Sequence, residues 1–288
     1  LQKNKKYYAI QLDETIFFAE GGGQPYDLGK IASVDLYYVY HGENHEVIHV
    51  TQEALNINEN VQLTLNFQRR FDHMQQHSCQ HLLSALFEKH FQLHTHSWWL
   101  AQKDECYIDL DYNPDVDFEF IERKANELIL AGTKHTLTVL NSREEAINHT
   151  YYKENPQKLP EKFIEPLRLM DIDGFGVNPC CGTHVMKFSE LECVKITNKI
   201  NKVKGNTRIF FLCGNRAVKY LGKLINLEKD LVSILQTKDF LPIINKIIEE
   251  NKKYKAEVKR LTTDLCSIIS NQLIETDLNY IVYYGVEK

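Results

Sequence analysis

Two histidines four residues apart, His77 and His81, stand in FDHMQQHSCQHLLSALFEKHF (71–91), which reads as one long helix. At that spacing the imidazoles lie one above the other on a single helical face. If they hold a metal, at least one more ligand must come from elsewhere in the chain, and the fold must bring it there. On a helical wheel Leu82, Leu83, Leu86 and Phe87 form an apolar arc, and His77 and His81 fall on the opposite arc with His73, Met74 and Ser84. The histidines are therefore not part of the main packing stripe. For this helix alone, a solvated polar face is the competing reading.

A second segment shifts the balance. GFGVNPCCGTHVMKF (174–188) carries Cys180 and His184, again four apart, in a Gly/Pro-rich turn leading into a strand. One cysteine with two or three histidines is a typical nitrogen and sulfur set for zinc. Two buried thiols are the alternative for Cys180 and Cys181; taken with the helix, the pair favours zinc. HGENHEVIH places His41, His45 and His49 at the same interval, but in strand and turn, where a four-residue step does not stack side chains. These three, with His94 and His96 in LHTHSWW, are read as structural or surface residues. A metalloprotease helix needs glutamate directly after its first histidine; Ser78 stands there instead.

Around these segments the chain changes character. In residues 1–66, YYAIQL, KIASVDLYYVYHG, HEVIHVT and VQLTLNF are β-branched and aromatic runs separated by turn residues. They predict a small N-terminal β-barrel, with Gly21, Gly22 and Gly23 between its first strands. Residues 67–215 mix the histidine helix, a helix DFEFIERKANELILAG ending on Gly132 and a short helix at SREEAINH with strand-like runs. Those runs are CYIDLDY, HTLTVL, LRLMDI, ECVKITNKI and TRIFFLCG. The mixture predicts a central α+β domain with an antiparallel sheet, not a doubly wound parallel one. Residues 216–275 read as helical. Past Pro242, Ile244, Ile247, Asn251, Tyr254, Val258, Leu261, Leu265 and Ile268 recur in steps of three and four, a coiled-coil seam. Residues 276–288 include the strand-like LNYIVYYGVEK, read as the start of a further, truncated domain. The overall class is α+β.

Composition narrows the function classes. With 43% hydrophobic residues in 288, the chain can bury an ordinary core. No apolar run is long enough to span a bilayer and no charged leader is seen, so a cytoplasmic protein without membrane contact is expected. Seven cysteines at irregular spacing do not read as a disulfide framework. A net charge of −5 gives no global attraction for nucleic acid, so any such contact must rest on a local patch.

Four motifs in order, GGGQPYDLG, HSCQHLLSAL, CCGTHV and KGNTRIFFLCG, resemble the editing domain of alanyl-tRNA synthetases and its free-standing AlaX relatives. The similarity covers nearly all of residues 10–220, and no alanine-activating domain is read, so the match is to the stand-alone editing proteins. The heptad segment and final strand resemble the start of the C-terminal extension of longer members. The resemblance implies Zn2+ among His77, His81, Cys180 and His184. The family has glycine after the motif's cysteine where this chain has Cys181, and only Cys180 keeps the four-residue step to His184. It further implies that Gln24 lies near the reacting ester, making Gln24 and Cys180 the candidate catalytic residues. Thr15 in DETIFF is implied to line the amino-acid pocket. Gly21, Gly22 and Gly23 permit a close backbone approach to substrate and N–H groups for an oxyanion; a plain hairpin loop is the alternative.

The implied substrate is tRNA(Ala) wrongly charged with serine or glycine. A pocket for alanine cannot exclude glycine by size and rejects an added hydroxyl by only on the order of 10²-fold, so a second, hydrolytic site raises fidelity. Zinc can lower the pKa of water to about 7 and act as a Lewis acid. Four protein ligands, however, close a tetrahedral ion where catalysis keeps a position open. Whether zinc activates water or orients substrate stays open at this stage. Candidate tRNA contacts are Lys195, Lys199, Lys202, Lys204 and Arg208 in KITNKINKVKGNTR, with Arg69 and Arg70 at the start of the histidine helix. Such contacts position the acceptor end through phosphates; a solvated face is the alternative. Two rival functions remain: editing of Ser-tRNA(Thr), and a non-catalytic zinc-containing tRNA-binding module. The heptad helix is read as a homodimer surface or a face for packing a further domain.

Overall fold

The computed structural model describes residues 6–56, 58–103, 105–113, 115–161 and 166–274, with the side chains of 199–202 and 273–274 outside the description. Its chain clusters into two units, 1–221 and 222–288. The first opens with five strands, β1 (Tyr8–Gln11), β2 (Gly29–Ile31), β3 (Val34–His41), β4 (Val47–Thr51) and β5 (Leu63–Leu65). All pair antiparallel, in the order β1-β4-β3-β2-β5. The expected small barrel is thereby corrected to an open sheet, with β1 and β5 as its two edges. Closure needs strands long enough to tilt and stagger around an axis, and β2 and β5 have three residues each. Phe17, Ala19, Ile31, Leu36 and Val39 form this sheet's own small core.

Helix α1 (Phe67–Phe91) follows at once. Asn66 caps it by accepting from the Arg69 N–H at 3.1 Å, and Gln92 ends it in the left-handed region at φ 53°. Its apolar arc joins the main core: Leu82, Leu83, Leu86 and Phe87 pack with Ile108, Leu110, Ile209 and Phe211. The opposite arc is buried as well, which corrects the solvated-face alternative: His73, Gln76 and His77 have no exposure. For the glutamines of this arc the physical reason is hydrogen bonding. Gln76 exchanges bonds with both backbone groups of Cys213, and Gln75 donates to the Glu190 carbonyl at 2.8 Å. Polar side chains can be buried when backbone partners satisfy them.

Next come β6 (Thr95–Trp99), β7 (Cys106–Leu110), α2 (Phe118–Ala131), β8 (His135–Leu140), α3 (Arg143–Asn148) and α4 (Thr150–Glu154). They are followed by β9 (Leu167–Ile172), β10 (Gly176–Pro179), β11 (Val194–Val203) and β12 (Asn206–Cys213). α2 stops where Gly132 takes φ 65°, the left-handed stop expected from its sequence. Two further antiparallel sheets result, β11-β12-β7-β6 and β10-β9-β8. The α+β class with antiparallel sheets therefore holds.

The chain continues through α5 (Asn215–Leu235) and α6 (Phe240–Ile274). Within the described residues, the seam positions Ile247, Tyr254, Val258, Leu261, Leu265 and Ile268 of α6 are exposed rather than zipped against a second helix. The expected helix is present with these seam positions exposed, and a coiled coil would need a facing helix for them to enter. The strand expected in 276–288 lies outside the described residues. No described helix is long and apolar enough to cross a membrane.

Candidate metal centre

Helix α1 and the loop after β10 meet at four side chains. The ligand atoms of His77, His81, Cys180 and His184 all lie within 4.8 Å of one another, a group that could hold a metal ion. Cys180 Sγ is 3.3 Å from His77 Nε2 and 3.2 Å from His184 Nε2. The His77 and His81 rings stack with centroids 5.1 Å apart, as their helical spacing requires. Pro179 ends β10, and Gly182 lets the loop lie against the helix: a Cβ there would overlap Cε1 and Nδ1 of His77.

The other nitrogens of two rings are held from behind. The Thr183 N–H, which can only donate, reaches Gln24 Oε1 at 2.9 Å. That oxygen is therefore an acceptor, so the 2.8 Å contact from His77 Nδ1 is a donated N–H, and Nε2 carries the free lone pair. Gln24 Nε2 donates to Thr183 Oγ1 at 2.8 Å, which leaves this fully buried amide engaged on both sides. Ser78, the residue standing in place of a protease glutamate, accepts from the Val185 N–H at 3.0 Å and lies 3.3 Å from His184 Nδ1. Partners of this kind fix the tautomer and orientation of metal-ligating imidazoles.

Burial dominates the electrostatics. It pulls His77 down to about 3, with the neighbouring His135 adding to the effect, and it drives His81 and His184 well below the ordinary imidazole value. It pushes the Cys180 thiol up to about 11. Four neutral donors thus converge with no countercharge of their own, and the buried His81 Nε2 has no hydrogen-bond partner. A soft divalent cation fits this set: it would satisfy that nitrogen and convert the thiol to thiolate.

The remaining expected residues divide. Gly21 and Gln24 close a two-residue turn by exchanging backbone hydrogen bonds of 3.2 and 2.9 Å, with Gly22 at φ 57° and Gly23 at φ 80°. Both central residues therefore take the left-handed conformation that glycine supplies without strain. Two of the loop's N–H groups are consumed inside the turn. Thr15 Oγ1 lies 2.8 Å from His49 Nε2, and His49 Nδ1 lies 3.2 Å from the Ile10 carbonyl. Arg69 donates to the Tyr26 carbonyl, and Arg70 pairs with the buried Asp27 and bonds the Ile16 carbonyl, so both tie α1 to the glycine segment. Lys195 pairs with Glu122. Arg208 pairs with Asp109 and lies 3.6 Å over the Tyr107 ring. Lys204 is exposed at the β11–β12 turn. Lys199 and Lys202 sit on β11, their side chains outside the described set. Cys181 is exposed.

Sequence reasoning missed Ser78, Thr183, Gly182 and His135. The last is buried, with its ring centroid 5.0 Å from that of His184. Only the GTH context around His184 hinted at two of them. An open hollow of about 820 Å³ runs along β1 and residues 54–56 and 58–61; of the expected residues only Thr15 lines it.

Residues 167–210, from β9 into β12, match the family described as the threonyl and alanyl tRNA synthetase second additional domain. The chain is similar to the alanyl-tRNA editing protein Aarsd1 of Danio rerio, 34% identical over 274 residues, which are 95% of this chain and 64% of that protein. Against Aarsd1 of Bos taurus the identity is 34% over 272 residues, 92% of this chain and 60% of the relative. Against the alanyl-tRNA editing protein AlaX-L of Pyrococcus horikoshii it is 27% over 302 residues, 100% and 73% respectively. The chain therefore spans 60–64% of the length of the two vertebrate relatives.

Proposed function

We propose that the chain is an alanyl-tRNA editing protein of the AlaX type, which it resembles over most of its length, and that it deacylates tRNA(Ala) mischarged with serine or glycine, with Zn2+ in the His77, His81, Cys180 and His184 cluster. One observation carries the reading. The Gln24 amide joins His77 of the helix motif to Thr183 of the cysteine motif, so three separate sequence motifs meet at one buried point.

When bound there, zinc would supply Lewis acidity and bring the pKa of a water to about 7. The chain's own groups do the positioning. Gln24 and Ser78 hold two imidazoles with Nε2 facing Cys180 Sγ. Gln24, implied by resemblance to touch the ester, is here a positioning residue, because its amide is already engaged. The Gly21–Gly23 turn brings bare backbone close to the site, where a side chain would obstruct an ester. Thr15 is read as lining the amino-acid pocket. Its hydroxyl donates to His49 Nε2, since His49 Nδ1 donates to the Ile10 carbonyl; its oxygen already accepts from the Phe17 N–H at 3.1 Å, which leaves one lone pair for a serine hydroxyl. The β11–β12 hairpin, with Lys195, Lys199, Lys202, Lys204 and Arg208, is read as the surface that meets tRNA phosphates. The α6 seam is read as a surface for a second copy or a further domain.

The test compares deacylation of seryl-tRNA(Ala), glycyl-tRNA(Ala) and seryl-tRNA(Thr), each with and without chelation. Chelator-sensitive loss from the alanine tRNA alone is expected. Equal loss from seryl-tRNA(Thr) would show that serine and not the tRNA is read. Bound zinc with no cleavage of any substrate would favour the binding-module reading, which the four-ligand set also accommodates.

A further inference from the structure

Trp98 belongs to none of the motifs above, yet the glycine turn leans on it. It sits on β6, the edge strand of the β11-β12-β7-β6 sheet, paired opposite Ile108, and 39% of it is exposed. Its indole N–H donates to the Gly22 carbonyl at 2.8 Å. Its ring lies flush on the next residue: a Cβ at Gly23 would fall 2.6 Å from Nε1 and 2.8 Å from Cδ1. Gly23 is therefore glycine for two reasons, its φ of 80° and the indole beside it.

A turn with glycine at both central positions is the least self-restrained a chain can build, because each glycine is free to leave its conformation. Gln24 is the next residue, and its amide must stay within about a hydrogen bond's tolerance to accept from both Thr183 N–H and His77 Nδ1–H. The backbone pair between Gly21 and Gln24 closes the turn but does not fix it against the rest of the molecule. The Glu20 N–H ties the residue before the turn to the Val39 carbonyl, and the indole holds the glycines themselves, through one hydrogen bond and one ring face, from a strand paired with β7.

We propose that Trp98 is a positioning residue for the metal centre: it braces the Gly22–Gly23 turn, and through Gln24 it holds the His77 imidazole in its ligating orientation. The proposal rests on the reading that His77 binds a metal; it does not depend on which ester the protein cleaves.

The test is a double-mutant cycle on the full chain, read as Zn2+ affinity of the metal-free protein in competition with a chromophoric chelator. Gln24→Ala should weaken Zn2+ by about tenfold or more, the usual loss when an outer partner of a ligand is removed. Trp98→Ala should weaken it by a similar factor. The double variant should bind no more weakly than Gln24→Ala alone, since the brace acts only through that amide. Trp98→Phe, which keeps a ring and loses the N–H, should fall between wild type and Trp98→Ala, and it carries the test if the alanine variant does not fold. Additive losses in the double variant, or wild-type affinity in both Trp98 variants, would overturn the brace while leaving the metal site standing. Absence of Zn2+ binding by the wild-type chain would overturn both.

Discussion

Gly182 carries no side chain, and the His77 ring occupies the space where one would go. Gly182→Ala should displace that ring and reduce bound zinc well below one per chain, measured by elemental analysis of the purified protein. The adjacent thiols make a sharper contrast. Cys180 faces two imidazoles while Cys181 is exposed. Cys180→Ala should lose metal and deacylation together and Cys181→Ala neither; equal zinc retention in the two variants would sink the ligand assignment. His73, one turn before His77, is buried with neither ring nitrogen bonded. Burial, then the charge of Arg69, lowers it from 6.5 to about 4. The unfolded chain therefore binds more protons than the folded one between those values, so stability is full above pH 6.5 and is lost as pH falls toward 4. Urea unfolding of the metal-free protein should show its midpoint dropping through that window. His73→Leu should flatten the drop only in part, since His135, lowered to about 4 by burial, and the buried His77, His81 and His184 of the metal-free protein contribute in the same direction.

Helix α1 shows where periodicity misleads. Its apolar arc was legible from Leu82, Leu83, Leu86 and Phe87, and these residues are in the core. The polar arc read equally well as surface, because a wheel reports polarity and not the backbone groups that wait opposite. Gln75 and Gln76 are buried by carbonyls of Glu190 and Cys213, more than a hundred residues away in sequence. The β11–β12 hairpin has the complementary problem: its charges were visible, their partners were not. Arg208 and Lys195 are already paired, whereas Lys204 stands exposed at the turn. Lys204→Ala should therefore weaken tRNA binding irrespective of tRNA sequence and lower the salt dependence by roughly 0.7–0.9 in log–log slope, the value of one phosphate contact. Arg208→Ala should also cost stability, because it strips the charged partner from Asp109 and leaves that carboxylate with the Ser97 hydroxyl. Filter binding across a salt series, beside thermal melts, separates the two.

For the whole molecule, the described seam positions Ile247, Tyr254, Val258, Leu261, Leu265 and Ile268 of α6 are exposed in a single chain. Rows of exposed Leu, Ile and Val at heptad spacing are costly in water and are relieved by a facing helix. Sedimentation velocity should show a concentration-dependent dimer that the Leu261→Glu, Leu265→Glu double variant abolishes. A monomeric wild-type chain at all concentrations would move the seam to packing against a further domain.

By itself the sequence determined the helix at 71–91, the same-face placement of His77 and His81, the stop at Gly132 and the donor chemistry of Cys180 and His184. All of these depend on local geometry: helical pitch, the freedom of glycine and the affinity of nitrogen and sulfur for soft cations. Only the tertiary structure decided that the N-terminal strands stay open, that Gln24 backs His77, that Ser78 backs His184 and that Trp98 meets Gly22. Those are contacts between segments far apart in the chain, and their register comes from packing and hydrogen-bond satisfaction, which no spacing within one segment encodes.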